Sequence, residues 1–491
     1  MSEENKTAAF SREDGATAGE NAISNDRREA EGIQGATAAT ADAADVAVAE
    51  KAGRDNFTSK FAFIISCVGS AVGIGCIWLF PYRIAEFGGA AFLIPFMVFM
   101  VLLGFTGVAS EMAFGRMAQE GSVGAFSKAM KMRFGQKGER AGKILGVIPM
   151  LGALALAIGY SVVVGWLLKY LVGSITGEVT AVADTASYFG ALAVDFGSVG
   201  WHVLALALTF GVMVFGISKG IEWLNKIMIP LFVVLFVILL VQVAMLPNAM
   251  AGYEYLFVPR WEALANPTTW IYALGQAFFS LSLAGSSMLV YGSYLKKDVD
   301  VVSSAVSVTF FNICAALLAA LVVVPAVFAF DVDLASGPAL MFITLPSVFQ
   351  QMPFGQLFAV LFFLAVICAA VTSLVSLFEA PIEMLESHFG FSRALAVGVV
   401  GIIALAVGVF IESADSIGAW MDAVSIYAIP LGALLAAVMF FWVCPRGVSR
   451  KQVSLGRKRL VGRWYEPMTR YVFVGITVVV IVLGLVFGSI G

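Results

Sequence analysis

The sequence predicts an all-α polytopic membrane protein, and three observations predict it. The 491 residues are 60% hydrophobic and only 13% charged, with a mean hydropathy of +0.91. Soluble domains are about half apolar and about a quarter charged. About eleven stretches are long and apolar enough to cross a bilayer, each near the ~20 residues that the hydrocarbon thickness demands. Lysine and arginine also concentrate in alternate connections, as they do on the cytoplasmic side of membrane proteins.

The chain begins with a segment unlike the rest. Residues 1–53 are rich in Ala, Glu, Asp and Thr and hold almost no large apolar residue. Such a stretch cannot bury enough surface to offset the entropy of ordering, so the composition predicts a disordered cytoplasmic tail ahead of a transporter domain over 54–491. Apolar spans are then read near 60–85, 89–115, 143–172, 199–217, 221–247, 268–294, 302–330, 354–386, 394–411, 419–443 and 469–489. The short stretch 338–350 reads as a re-entrant or surface helix.

Basic residues fill the 116–143 connection (Arg116, Lys128, Lys131, Arg133, Lys137, Arg140, Lys143) and the 445–470 connection (Arg446, Arg450, Lys451 and five more). Glu178, Asp184, Asp195, Asp331, Asp333, Glu412 and Asp415 lie in the opposite connections. This bias predicts a cytoplasmic amino terminus and, with an odd number of spans, an external carboxyl terminus in the cell membrane.

The first and sixth spans are interrupted. Gly69-Ser-Ala-Val-Gly-Ile-Gly75 breaks the first, and Ser280-Leu-Ser-Leu-Ala-Gly-Ser-Ser287 breaks the sixth. Glycine and serine weaken a helix through backbone entropy and competing hydrogen bonds. Unwound backbone at membrane depth survives only where it is buried or lines a cavity. One such segment is a common packing face. Two in matching places of two five-span halves point to a binding site at the midplane.

The composition also limits function. Cys67, Cys76, Cys314, Cys368 and Cys444 form no CxxC pair, and His202 and His388 stand alone, which disfavours disulfide and metal frameworks. Glu111, Glu379 and Glu383 have no His or metal-ligand partner in the sequence, so no enzyme is expected. A channel needs a continuous polar lining that these spans lack. No nucleic-acid partner is expected; the lipid bilayer is.

Several of these motifs together resemble the neurotransmitter:sodium symporter family, in its bacterial amino-acid transporter branch. Gly69–Gly75, Ile77-Trp-Leu-Phe-Pro-Tyr82 and Gly88-Gly-Ala-Ala-Phe92 resemble its first two helices. Glu111, Gly115-Arg116, Tyr160–Trp166, Gly275–Ser282, Tyr291–Tyr294 and Thr372-Ser373 with Ser376 and Glu379 continue the likeness from about Arg54 onward. The resemblance implies a LeuT-type 5+5 inverted repeat with the first and sixth helices unwound mid-membrane. Repeat one would span about 57–247, repeat two about 268–443, and an extra helix 469–489.

The resemblance implies alternating-access uptake of a small zwitterionic amino acid coupled to the sodium ion. Its second sodium site would use Gly69, Val72, Ala369, Thr372 and Ser373. The first would use Ala71, Ser280 and Asn312, but the family's further Asn is Cys76 here. A thiol is a soft partner for a hard cation, so this site is expected to be weakened, rebuilt or absent, leaving one tightly coupled sodium. The substrate would meet Ala71, Gly73, Ile74, Gly75, Leu156, Tyr160, Phe279, Ser280, Ser282, Gly285, Ser373 and Leu377. Gly73 stands where amine-carrying relatives have Asp, which favours substrates that bring their own carboxylate. Gly285 stands where leucine-sized pockets carry a bulky residue, which favours a large hydrophobic or aromatic side chain; Leu156 partly offsets it.

The family's outer gate Arg is Leu79 here. Arg83, one turn on, reads either as its replacement, with Asp422, or as an interfacial snorkelling residue. Arg54 matches the inner gate Arg. Its usual Asp is Ser387, so Glu386 is the nearest substitute. Ala316 and Phe96 stand at chloride-site positions, so no chloride is expected. Gly220 and Pro230 mark a point in the fifth span where the family unwinds to admit water. A membrane sensor of the same fold, or a transporter of another carboxylated solute with altered ion coupling, remains the alternative.

Overall fold

A computed structural model describes residues 55–332 and 338–488. Among the described residues there is no β-strand, and the helices group into eleven spans in the expected order. Eight helices are long and apolar enough to cross a membrane, and the bent pair Lys60–Ala71 and Ile74–Glu86 makes a ninth. The second, third and fifth spans are Ala90–Ala118, Ser122–Thr176 and Ile217–Ala244. The seventh to eleventh are Val301–Ala329, Gly355–Phe389, Arg393–Ile411, Ala414–Val443 and Tyr465–Phe487. The fourth, Val199–Met213, is a shorter apolar helix. The sixth is split into Pro267–Ser280 and Ser287–Ser293. The tail over 1–53 lies outside the described residues.

The helices begin where the sequence supplies caps. Ser59 Oγ accepts from Ala62 N at the start of the first span. Asn266 caps the sixth ahead of Pro267, and Asp300 accepts from Val302 and Ser303 at the seventh. Each satisfies a backbone donor that the helix itself cannot.

The basic 116–143 stretch is not an extended loop. The helix Ser122–Thr176 runs through most of it, folded back at Gly135, whose φ of 67° and ψ of −152° interrupt the helical path. Between the seventh and eighth spans lies the short helix Leu345–Gln351, which overlaps the expected 338–350 stretch and ends one residue past it. His202, solitary in the sequence, is buried in the fold, with ring nitrogens 2.9 Å from Ser161 Oγ and 3.3 Å from Glu412 Oε1. Among the described residues no cluster of His, Cys, Asp or Glu could hold a metal ion.

The eighth span packs along the third and fifth and against the first, while the second span packs on both halves of the sixth. Small residues let these backbones meet: Gly115 faces the Leu289 carbonyl, and Gly292 faces that of Met112. The core of this packing surrounds the two broken spans.

Candidate functional site

The first span breaks at Val72 and Gly73, and its halves diverge by 55°. The break redirects donors. Gly73 N bonds to Ala71 O at 3.1 Å, and Cys76 N bonds to Gly73 O at 3.1 Å. Ile74 N donates to the Tyr160 hydroxyl at 2.6 Å. In an unbroken helix these three N–H groups would serve Gly69, Val72 and Ser70. The carbonyls of Gly69 and Val72 therefore lose their helical donors, and Ser70 O accepts from Ser282 Oγ (2.9 Å) and Ser373 Oγ (3.2 Å) instead.

The sixth span breaks over residues 281–286. Ser282 and Gly285 both take left-handed backbone, at φ of 53° and 67°. A non-glycine residue there is uncommon and costs about 1–3 kcal/mol, a strain that concentrates at functional sites. Glu111 holds the break open: its Oε1 accepts from Gly285 N at 2.8 Å. Thus the buried carboxylate of the second span partners unwound backbone.

Thr372 and Ser373 meet the broken first span from the eighth. The positions a side chain would take on Gly69 and Gly73 lie 3.0 Å from Thr372 Cβ and 3.1 Å from Ser373 Oγ. The Thr372 hydroxyl donates to Cys368 O and Ala369 O at 3.1 and 3.0 Å. Donation back into the helix leaves its oxygen lone pairs free to face a cation, so the structural bond and the ligand role are compatible. Thr372 and Ser373 of the eighth span thus lie against Gly69 and Gly73 of the broken first span.

The other candidate ion site is arranged differently. Asn312 Nδ2 donates to Ala71 O at 2.9 Å and Ser280 O at 3.0 Å, and lies 3.7 Å from Cys76 Sγ. A nitrogen donor points at the two carbonyls that would hold a cation. Asn312 Oδ1 is buried without a hydrogen-bond partner among the described residues.

A cavity between the breaks is lined by Gly73, Gly75, Leu156, Tyr160, Phe279, Ser280, Ser282, Ser373 and Leu377, together with Ala71 and Cys76. Ile74 contributes its backbone N–H and does not line it. Gly285 does not line it either. A side chain on Gly285 would collide with the carbonyl of Gly432 in the tenth span, so the room this glycine leaves is taken up by close helix packing. Sequence reading missed Ser70, Leu283, Ala284 and Ile429, which do line the cavity. Ile429 follows a π-turn at Val424–Ala428, and no local pattern marks it.

The gate residues find other partners. Arg83 pairs with Glu86 at 3.5 Å and its guanidinium lies 3.9 Å over the Tyr272 ring, linking the first and sixth spans. Asp422 is exposed and no Arg83–Asp422 ion pair forms. Arg54 lies outside the described residues. Glu386 pairs with Arg393 at 3.0 Å. Arg393 also grips Glu379 through two bonds of 2.8 and 2.7 Å, and the Tyr294 hydroxyl donates to Glu379 at 2.7 Å. Nearby, Glu222 of the fifth span accepts from Thr58 N at 2.9 Å and pairs with Lys226 at 2.6 Å, fastening the start of the first span.

Arg393→Ala is expected to strand the buried Glu379 with Tyr294 as its remaining partner. Stranding one member of a buried pair costs about 3–5 kcal/mol. A clear fall in the thermal midpoint of the purified protein should follow, only partly recovered in Arg393→Lys, whose ammonium lacks the two-pronged geometry. A midpoint equal to that of the unaltered protein would count against this account.

The sequence profile of the Sodium:neurotransmitter symporter family matches residues 54–189 and 191–490. The sodium-dependent transporter YhdH of Bacillus subtilis is 35% identical over 358 residues, covering 70% of this chain and 77% of that protein. The sodium-dependent transporter MJ1319 of Methanocaldococcus jannaschii is 29% identical over 439 residues, covering 84% and 87%. The crystal structure of MhsT in complex with L-phenylalanine superposes with a TM-score of 0.77 at 31% identity, covering 88% of this chain and 99% of that one.

Proposed function

Because the chain belongs to the sodium:neurotransmitter symporter family, we propose that it takes up a zwitterionic amino acid with a large apolar or aromatic side chain, driven by one sodium ion per cycle. The observation that carries this reading is the pair of broken spans, whose residues Ser70, Ala71, Gly73, Ser280 and Ser282 line one cavity together with Ser373, while Thr372 lies against Gly69. Sodium is a hard cation and takes such neutral oxygens.

The substrate carboxylate sits at the start of Ile74–Glu86, where the helix dipole favours negative charge. The Tyr160 hydroxyl, already bonded to Ile74 N, turns toward it. The amine faces carbonyls near Ala71, Phe279 and Ser282. Leu156, Phe279, Leu377 and Ile429 form an apolar wall for the side chain. MhsT, of the same fold and 31% identical, was crystallised with L-phenylalanine, which supports an aromatic or similarly large side chain.

In this reading the first sodium site is not used, for a specific reason: the Asn312 amide nitrogen serves the carbonyls of Ala71 and Ser280 as a built-in donor, and Cys76 offers sulfur in place of oxygen. One sodium entering down ~100 mV supplies ~2.3 kcal/mol, and a tenfold gradient adds ~1.4 kcal/mol. Together these support roughly 500-fold accumulation of substrate. The Lys and Arg bias favours a cytoplasmic amino terminus and an external carboxyl terminus in the cell membrane. Phe96 and Ala316 favour chloride-independent transport.

The test is uptake of L-phenylalanine into proteoliposomes as external sodium is varied, with potassium as the control. Sodium-dependent uptake with a Hill coefficient near one is expected. Cys76→Asn restores an oxygen ligand and is expected to raise the coefficient toward two. Uptake indifferent to sodium would sink the symporter reading, and a coefficient of two in the unaltered protein would sink the single-ion stoichiometry.

A further inference from the structure

Asn225 is a polar residue in the first third of the fifth span, and neither the cavity nor the ion ligands described above include it. It is 0% exposed. Its Nδ2 donates to the Ile221 carbonyl, one turn back on its own helix, at 2.8 Å. That carbonyl can only accept, so the bond fixes the amide: the nitrogen faces the helix and the oxygen faces away. The oxygen is buried and has no hydrogen-bond partner among the described residues. A buried unpaired carbonyl is unfavourable, and each one in a native fold calls for a reason.

The oxygen lies against Gly69 of the broken first span. Asn225 Oδ1 occupies the space a side chain on Gly69 would need, with Asn225 Cγ 3.1 Å and Thr372 Cβ 3.0 Å from that same position. Gly69 and Thr372 are two of the proposed sodium ligands. A fixed neutral oxygen therefore stands immediately behind the coordination shell, on the side of the fifth span.

The segment that holds Asn225 is also built to loosen. Residues Ile217–Glu222 form a π-turn, and Pro230 cannot donate to the Lys226 carbonyl. The carbonyl that anchors the Asn225 side chain, Ile221 O, belongs to that π-turn. Opening the turn frees the amide to swing without unfolding the rest of the span.

We propose that Asn225 is a relay ligand for sodium: its amide oxygen takes the ion from Gly69 and Thr372 as it leaves for the cytoplasm. This rests on the sodium-coupled reading above and adds a residue to its exit route. The oxygen is held ready by Ile221 while the site is closed and follows the ion when the π-turn opens. Sodium exchanges one oxygen ligand for another and never faces bare hydrocarbon.

The experiment uses radioactive sodium as the probe on the full chain in nanodiscs, comparing Asn225→Leu, Asn225→Ser and the unaltered protein. Leucine keeps the volume and removes the oxygen; serine keeps an oxygen. Asn225→Leu is expected to leave equilibrium sodium binding within about twofold while slowing sodium dissociation about tenfold, the effect of one lost neutral ligand in the exit barrier. Asn225→Ser is expected to recover much of the rate. A helix-packing role would shift the thermal midpoint of both variants and leave the dissociation rate where it was. Dissociation from Asn225→Leu at the original rate overturns the proposal. Absence of saturable sodium binding by the unaltered protein overturns the symporter reading, and this proposal with it.

Discussion

Thr372→Ala should raise the sodium concentration needed for half-maximal substrate binding by ten- to a hundredfold, from the ~1.5–3 kcal/mol of one ion–dipole contact in a buried setting. The side chain is fully buried, and its hydroxyl proton is committed to Cys368 O and Ala369 O, so its lone pairs are what it offers the site. Thr372→Ser keeps that oxygen and should retain most of the affinity. The contrast separates a ligand from a packing residue, because both substitutions remove the same methyl group. Sodium titrations of ligand binding on both variants, with thermal midpoints alongside, provide the check. Equal sodium dependence in Thr372→Ala and Thr372→Ser would remove Thr372 from the ion shell.

Gly73→Ala should weaken substrate binding by about a hundredfold, or ~2.7 kcal/mol, while the protein still folds. A methyl group there would lie 2.6 Å from the Tyr160 hydroxyl and 3.1 Å from Ser373 Oγ. The first contact is far inside van der Waals range, and Tyr160 cannot retreat without losing its 2.6 Å bond from Ile74 N. The added carbon therefore pushes aside the one side chain that joins the third span to the start of Ile74–Glu86. It does so on the cavity wall, where the substrate carboxylate is placed. Tyr160→Phe is the companion variant. It should weaken substrate binding more mildly and relieve part of the Gly73→Ala defect in the double mutant, because the clashing oxygen is gone. Additive losses in the double mutant would show that the two residues act independently.

Much of this architecture was legible before any coordinates. Long apolar runs dictate membrane helices because an exposed peptide group in hydrocarbon is too unfavourable to persist, and the spans appear in the order read. The breaks at Gly69–Gly75 and Ser280–Ser287 were also legible, since glycine and serine clusters have few other uses at membrane depth. Glu111 was expected to face the sixth-span break, and its bond to Gly285 N does so.

Partnerships between distant residues were not legible. Arg83 reads from the sequence either as a gate residue with Asp422 or as an interfacial residue; it sits over Tyr272 beside Glu86, because the sixth span brings an aromatic face to it. Gly285 was read as an enlarged pocket, yet the backbone at Gly432 moves into that room. Glu386 was assigned to Arg54 and is held by Arg393. Each depends on how two helices approach, and no single helix encodes that in its own sequence.

The sequence by itself determined that this chain crosses a membrane many times, and where two of its helices break and leave polar groups without helical partners. These follow from local propensity and solvation, which act residue by residue. Only the tertiary structure decided which of those groups meet: the Asn312 amide at the Ala71 and Ser280 carbonyls, Ile429 in the cavity wall, and the unpaired Asn225 oxygen behind Gly69. The reason is geometric. An oxygen's chemistry is fixed by its residue, but its role is fixed by what lies within about 3 Å of it, and that distance is set by helix packing.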